Sequence, residues 1–108
     1  MQRDIDGLSE MAQHVSDIYA ARFGITRDAV WHLAKLTEEA GEVQSAYLKL
    51  TGRGRGSGEA EALADEVADL FAMVLLFARW QDIDLPTAMA RKWGQYLPEG
   101  HSPEETAR

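Results

Sequence analysis

The stretch "GRGRGSG", residues 52–58, limits more than any other what this chain can fold into. Four glycines in seven residues cannot hold a helix, because glycine loses more backbone freedom on folding than any other residue. On both sides the chain reads as helix. Before the glycines, Ala29, Leu33, Leu36, Ala40, Val43, Tyr47 and Leu50 recur at the spacing of an amphipathic helix. After them, Leu63, Val67, Leu70, Val74 and Phe77 do the same. Two long helices joined by a short flexible turn form an antiparallel hairpin.

Strand alternation is not sustained anywhere, so the expected class is all-α. Four helices are expected in a four-helix, bundle-like arrangement. The first runs from a cap at Ser9 to Phe23, with Met11, Val15, Ile18 and Phe23 as its apolar stripe, and ends at Gly24. The second spans about Asp28 to Thr51. The third starts at Ser57 or Gly58 and reaches Trp80. The fourth starts from a cap at Asp84, has Pro86 in its first turn and ends near Leu97. Residues 1–97 form one domain, and 98–108, polar with two prolines, are expected to be a mobile tail.

A chain of 108 residues leaves much of its apolar surface near solvent, so association with a second copy is expected. Cysteine is absent, which removes disulfide, thiolate-metal and cysteine-nucleophile chemistry and fits the cytoplasm. The opening residues "MQRDIDGLSEM" place charge where a signal peptide would be apolar. The run Leu70–Ala78 is too short to span a bilayer. A net charge of −7 argues against a basic face that coats nucleic acid.

That negative charge is concentrated in two motifs built alike. "LTEEAGEV", residues 36–43, and "LADEVADL", residues 63–70, align so that Glu39 matches Glu66 and Glu42 matches Asp69. At ~100° per residue, the first acid of each motif lies about 60° to one side of the apolar stripe and the second about 120°. Glu42 stands ten residues before Gly52 and Glu66 eight after Gly58. At ~1.5 Å per residue these heights are about 15 and 12 Å. Glu39, Glu42, Glu66 and Asp69 therefore converge at one level of the hairpin if the two shoulders face each other. Four carboxylates so placed repel, unless a cation lies among them. With only oxygen donors, Mg²⁺ fits first and Mn²⁺ second. A di-iron site would need Glu-x-x-His, and here the third position is Glu42 or Asp69. Either motif alone is the ordinary pattern of a solvated helix face. The matched register across a glycine turn is what points to a shared ion.

"EEAGE" followed by "EVAD" resembles the E-E-x-x-E … E-x-x-D signature of MazG-like nucleotide pyrophosphohydrolases, within the all-α NTP pyrophosphatases. The similarity covers roughly Val30 to Tyr96 and includes "KLTEEAGEV", "ADEVADLF" and "DIDLPTAMARKW". The resemblance implies Mg²⁺-dependent hydrolysis of a nucleoside triphosphate to the monophosphate and pyrophosphate, of the house-cleaning kind. It implies a homodimer or a dimer of dimers, with the hairpins packed together. By the same resemblance Glu39, Glu42, Glu66 and Asp69 are the metal ligands. Glu38 orients or deprotonates the attacking water, and Lys92 reaches the substrate phosphates. Many relatives carry an asparagine four residues after that lysine. Here the position is Tyr96, which touches base or sugar selection and leaves the metal acids intact.

Positive charge is also needed at the leaving pyrophosphate. Lys92 is the first source, with Lys35, Lys49, Arg53 and Arg55 behind it. The glycine-rich loop follows no Walker pattern and reads first as a flexible connection with solvated arginines. Trp31 is the best stacking candidate for a base, two turns before the first motif. Neighbouring His32 either contacts a base or caps the pocket. Two alternatives share these residues. One is a phosphoribosyl-ATP pyrophosphohydrolase. The other is a non-catalytic dimeric helical module, against which the five intact acids argue.

Overall fold

A computed structural model describes residues 4–56 and 58–98 of the chain. Four helices follow one another: α1 (Ile5–Phe23), α2 (Ala29–Leu50), α3 (Ala60–Trp80) and α4 (Leu85–Lys92), with a 3₁₀ turn at Gly94–Tyr96. No strand occurs among the described residues. None of these helices is long and apolar enough to cross a membrane. The all-α expectation holds, and the hairpin of α2 and α3 is the most extensive packing in the molecule.

Side-chain caps set three of the four helix starts. The Asp28 carboxylate accepts the Trp31 N–H at 2.8 Å and starts α2. The Asp84 carboxylate does the same for Thr87 at 3.1 Å and starts α4. At α1 the expectation is corrected: the cap is Asp4, whose carboxylate accepts the Gly7 N–H at 2.8 Å. Ser9 lies inside the helix instead, buried, and its hydroxyl accepts from Arg79 of α3 at 3.1 Å. Helix α1 ends at Gly24, whose left-handed backbone lets the Ile25 N–H reach the Ala20 carbonyl at 3.0 Å. At the end of α3, Asp82 adopts φ +52° and the Ile83 N–H closes on the Ala78 carbonyl at 2.8 Å. The single fourth helix expected to reach Leu97 stops instead at Lys92, and the chain tightens into the 3₁₀ turn around Gly94. Of the expected tail, everything beyond Pro98 lies outside the described residues.

A second correction concerns which face of α1 is buried. Met11, Val15, Ile18 and Phe23 are all exposed. The side that meets α3 carries small residues, with Ser9 and Ala20 buried. Small side chains let two helices approach closely, and the larger apolar residues are left outside. The buried apolar residues are Ala20, Leu75, Leu76 and Ala78, so the core sits in the C-terminal half of α3, beside α1. Helix α1 barely meets α2, and α4 packs chiefly on its own 3₁₀ turn.

The glycine segment is shaped rather than slack. The Arg53 and Gly54 N–H groups donate to the Leu48 carbonyl at 2.7 and 2.9 Å. A Cβ placed on Gly58 would stand 2.4 Å from the Leu50 nitrogen and 2.6 Å from the Lys49 carbonyl carbon. Gly58 is therefore a contact surface for the end of α2. Helix α3 begins at Ala60 and not at Gly58; Ser57, the other expected start, lies outside the described residues.

Gly58→Ala is expected to cost about 1–3 kcal/mol, because backbone atoms must move to admit the methyl. Gly41→Ala, in mid-helix with open space around it, is expected to gain about 0.5–1 kcal/mol. Urea denaturation of the two variants checks both signs.

Candidate metal centre

Two helices supply the centre. Glu39 projects from α2, between the stripe residues Leu36 and Val43. Glu66 and Asp69 project one turn apart from α3. One carboxylate oxygen from each of the three lies within 4.8 Å of the others. The Glu39 side chain is 13% exposed. Glu66 is half-buried and Asp69 exposed, so the cluster is rooted between the helices and open on one side.

The electrostatics are those of crowded like charges. Burial pushes the Glu39 carboxyl above its ordinary range, and the negative charge of Asp69 pushes it further. Glu66 and Glu38 add to this, while the nearby Lys35 ammonium opposes it. Lys35 pairs with Glu38 at 2.5 Å and approaches Glu39 at 3.8 Å. Its own pKa is raised, first by the hydrogen bond to Glu38. One cation against four nearby acids leaves the site strongly negative. All the donors are hard oxygens at mutual distances that one ion can bridge, a set suited to a hard divalent cation.

The residues singled out from the sequence fall into groups. Glu39, Glu66 and Asp69 come together. Glu42 is exposed on the next turn of α2 and stands outside that group of three. Glu38 is exposed at the rim, tied to Lys35. The pairing of Lys35 with both glutamates follows from i,i+3 and i,i+4 spacing, a signal present in the sequence. Lys92 ends α4 and makes no ion pair among the described residues. Arg55 is exposed in the turn at the far end of the hairpin, and Tyr96 is exposed in the 3₁₀ turn.

His32 is fully enclosed, 0% exposed. Its Nδ1 lies 2.9 Å from the Asp28 carbonyl oxygen, so that nitrogen carries the proton. Its ring packs edge-on against Trp31 and tilted against Trp80, both with centroids 5.0 Å away. Its Nε2 is buried without a hydrogen-bond partner among the described residues. His32 thus joins the first turn of α2 to the last turn of α3. Trp31, half-buried, is one wall of that contact.

A model of the MazG nucleotide pyrophosphohydrolase domain matches residues 31–94. No match was found among curated proteins or among solved structures. The matched span contains all three clustered acids, Glu38, Glu42, Lys35 and Lys92.

Because its pKa is raised on folding, Glu39 contributes stability below its ordinary value of 4.5 and loses it as pH rises through the raised value. In cation-free protein, Glu39→Gln is therefore expected to melt higher than wild type at pH 7, with the gap narrowing towards pH 4. Adding a divalent cation is expected to raise the wild-type melting temperature and to leave that of the variant nearly unchanged. Differential scanning calorimetry reads both effects.

Proposed function

Since the chain belongs to the MazG nucleotide pyrophosphohydrolase family, we propose that it hydrolyses nucleoside triphosphates to the monophosphate and pyrophosphate with Mg²⁺ as cofactor, as a house-cleaning enzyme. The observation that carries this reading is the meeting of Glu39, Glu66 and Asp69 within 4.8 Å across the hairpin. Such a cluster is unfavourable without a counter-ion and well suited to one. These three hold the ion, with Glu42 as the fourth ligand from the next turn of α2. When bound, the ion supplies positive charge to phosphate oxygens and makes a bound water more acidic.

The protein's own groups divide the rest of the work. The water oxygen forms a bond to the α-phosphorus while the bond from that phosphorus to the α–β bridging oxygen breaks. Glu38 accepts the water's proton, since its carboxylate is exposed at the rim beside the cluster. Lys35 holds one oxygen of Glu38 by the ion pair and so fixes which oxygen is free to take that proton. Pyrophosphate leaves with the extra negative charge, which needs a cation in reach. Lys92 has that role, with Lys35 as a further phosphate contact. The half-buried ring of Trp31, His32 behind it and Tyr96 complete the substrate surroundings.

Two copies associate to cover the apolar side chains that one copy leaves outside. Leu33, Tyr47, Val67 and Phe71 on the hairpin are exposed, as are Met11, Val15 and Ile18 on α1. A surface of that kind is the usual mark of an interface between copies. Light scattering is expected to give at least twice the 12.0 kDa chain mass.

Incubation with a nucleotide panel and Mg²⁺ is expected to release pyrophosphate. Glu39→Gln and Asp69→Asn are each expected to lower kcat by about a hundredfold or more, the scale of lost electrostatic stabilisation, with helical circular dichroism unchanged. Full activity in either variant would remove the ligand assignment. No release from any nucleotide would remove the reaction.

A further inference from the structure

The backbone N–H and the Nδ1–H of His32 both donate to the Asp28 carbonyl oxygen, at 3.0 and 2.9 Å. The second bond holds the imidazole at one angle. At that angle the ring stands edge-on to Trp31 and tilted by 46° against Trp80 of α3. Nothing among the described residues partners its Nε2, although the residue is fully enclosed. A buried polar atom without a partner lowers stability, and an apolar side chain of similar size would fill the same space without that loss. What the imidazole adds over such a side chain is the Nδ1–H bond, and with it a fixed ring angle.

His32 precedes Glu39 by seven residues on α2, and Trp80 follows Asp69 by eleven on α3. At ~100° per residue, both separations return to within about 20° of the same helix face. The contact of His32 with Trp80 and the approach of Glu39 to Asp69 therefore lie along one line of the hairpin. At ~1.5 Å per residue, the backbones of His32 and Trp80 stand about 10 and 16 Å from those acids. Side chains lean towards the N-terminus of their own helix. This carries the His32 ring away from the acids and the Trp80 ring back towards them, so the two rings meet at one level. Two turns of hydrogen-bonded helix carry a rotation at His32 through to Glu39. A side-chain tip about 5–6 Å from the axis moves about 2 Å when the helix turns by about 20°. That is a large step among oxygens lying within 4.8 Å of one another, since a hard cation needs its ligand oxygens at about 2.0–2.6 Å.

We propose that His32 is a positioning residue for the metal centre: its Nδ1–H bond and its contact with Trp80 set the rotation of α2 that aims Glu39 at Glu66 and Asp69. This rests on the reading of those acids as ligands of a divalent cation and adds the residue that fixes their geometry from outside the cluster. His32 touches neither ion nor substrate in this role. It acts through the helix that carries Glu39, at the expense of a buried nitrogen left without a partner. A centre whose ligands come from two helices needs such a device, because no local bond ties Glu39 to the acids of α3.

The test is calorimetric titration of the full chain with Mn²⁺ alone, without nucleotide. His32→Leu and His32→Phe are each expected to raise the Mn²⁺ Kd about tenfold, the lower end of what lost support of a metal ligand does. Both are expected to keep wild-type helical circular dichroism. If His32→Leu loses helicity, His32→Phe decides, because it keeps a flat ring and drops only the nitrogens. Wild-type affinity in His32→Phe overturns the proposal, since ring bulk alone then suffices. A double-mutant cycle separates positioning from a merely structural role. Glu39→Gln is expected to weaken Mn²⁺ about a hundredfold, and the double variant with His32→Phe is expected to bind no more weakly than Glu39→Gln alone. Independent residues about 10 Å apart give effects that multiply, so a double variant about tenfold weaker than Glu39→Gln overturns the proposal and leaves the metal centre in place. A wild type that binds no Mn²⁺ ends the metal centre itself, and this proposal with it.

Discussion

Repulsion among carboxylates held between two helices is the constraint around which this molecule is arranged. Glu39 comes from α2, Glu66 and Asp69 from α3, and their oxygens meet within 4.8 Å. Left to themselves, such groups would splay the helices. They stay together because the hairpin is fastened beyond them in both directions. At one end Gly58 lies against the backbone of Lys49 and Leu50, closer than any side chain would permit. At the other end His32 is enclosed against Trp80. The carboxylates lie between these two contacts. Burial first, and then the negative charge of Asp69, raises the Glu39 pKa.

Holding charges in an unfavourable arrangement is useful where an ion is to be bound. A site already shaped for a divalent cation loses little conformational freedom on binding it, and the cation removes the repulsion it meets. Lys35 offsets part of the charge in the meantime, through Glu38 and Glu39. Helix α1 touches the hairpin through small residues, Ser9 and Ala20. Its larger apolar side chains are thereby left available for other contacts.

The fold was legible where the signals are local. Helix periodicity, the aspartate caps of α2 and α4 and the glycine turn all act within a few residues, and the sequence shows such patterns directly. The register of the acids was legible too, because a short turn fixes the relative height of two helices by counting. The start of α1 was misplaced by one such local signal, since Ser9 and Asp4 both have capping side chains and only Asp4 uses its own for that purpose. The stripe of α1 misled for a different reason. Periodicity reveals that a helix has an apolar face and not what covers it, and here the face that packs is the one with small side chains.

By itself the sequence determined an all-α chain, an antiparallel hairpin and a matched pair of acidic motifs, because each follows from spacing along one or two helices. Only the tertiary structure decided which acids come closest, with Glu39, Glu66 and Asp69 meeting within 4.8 Å and Glu42 on the next turn of α2. It alone enclosed His32 between two tryptophans. Those outcomes depend on how helices cross and how closely they approach. Crossing is fixed by side-chain shape on both partners at once, and that information is distributed across residues far apart in the chain.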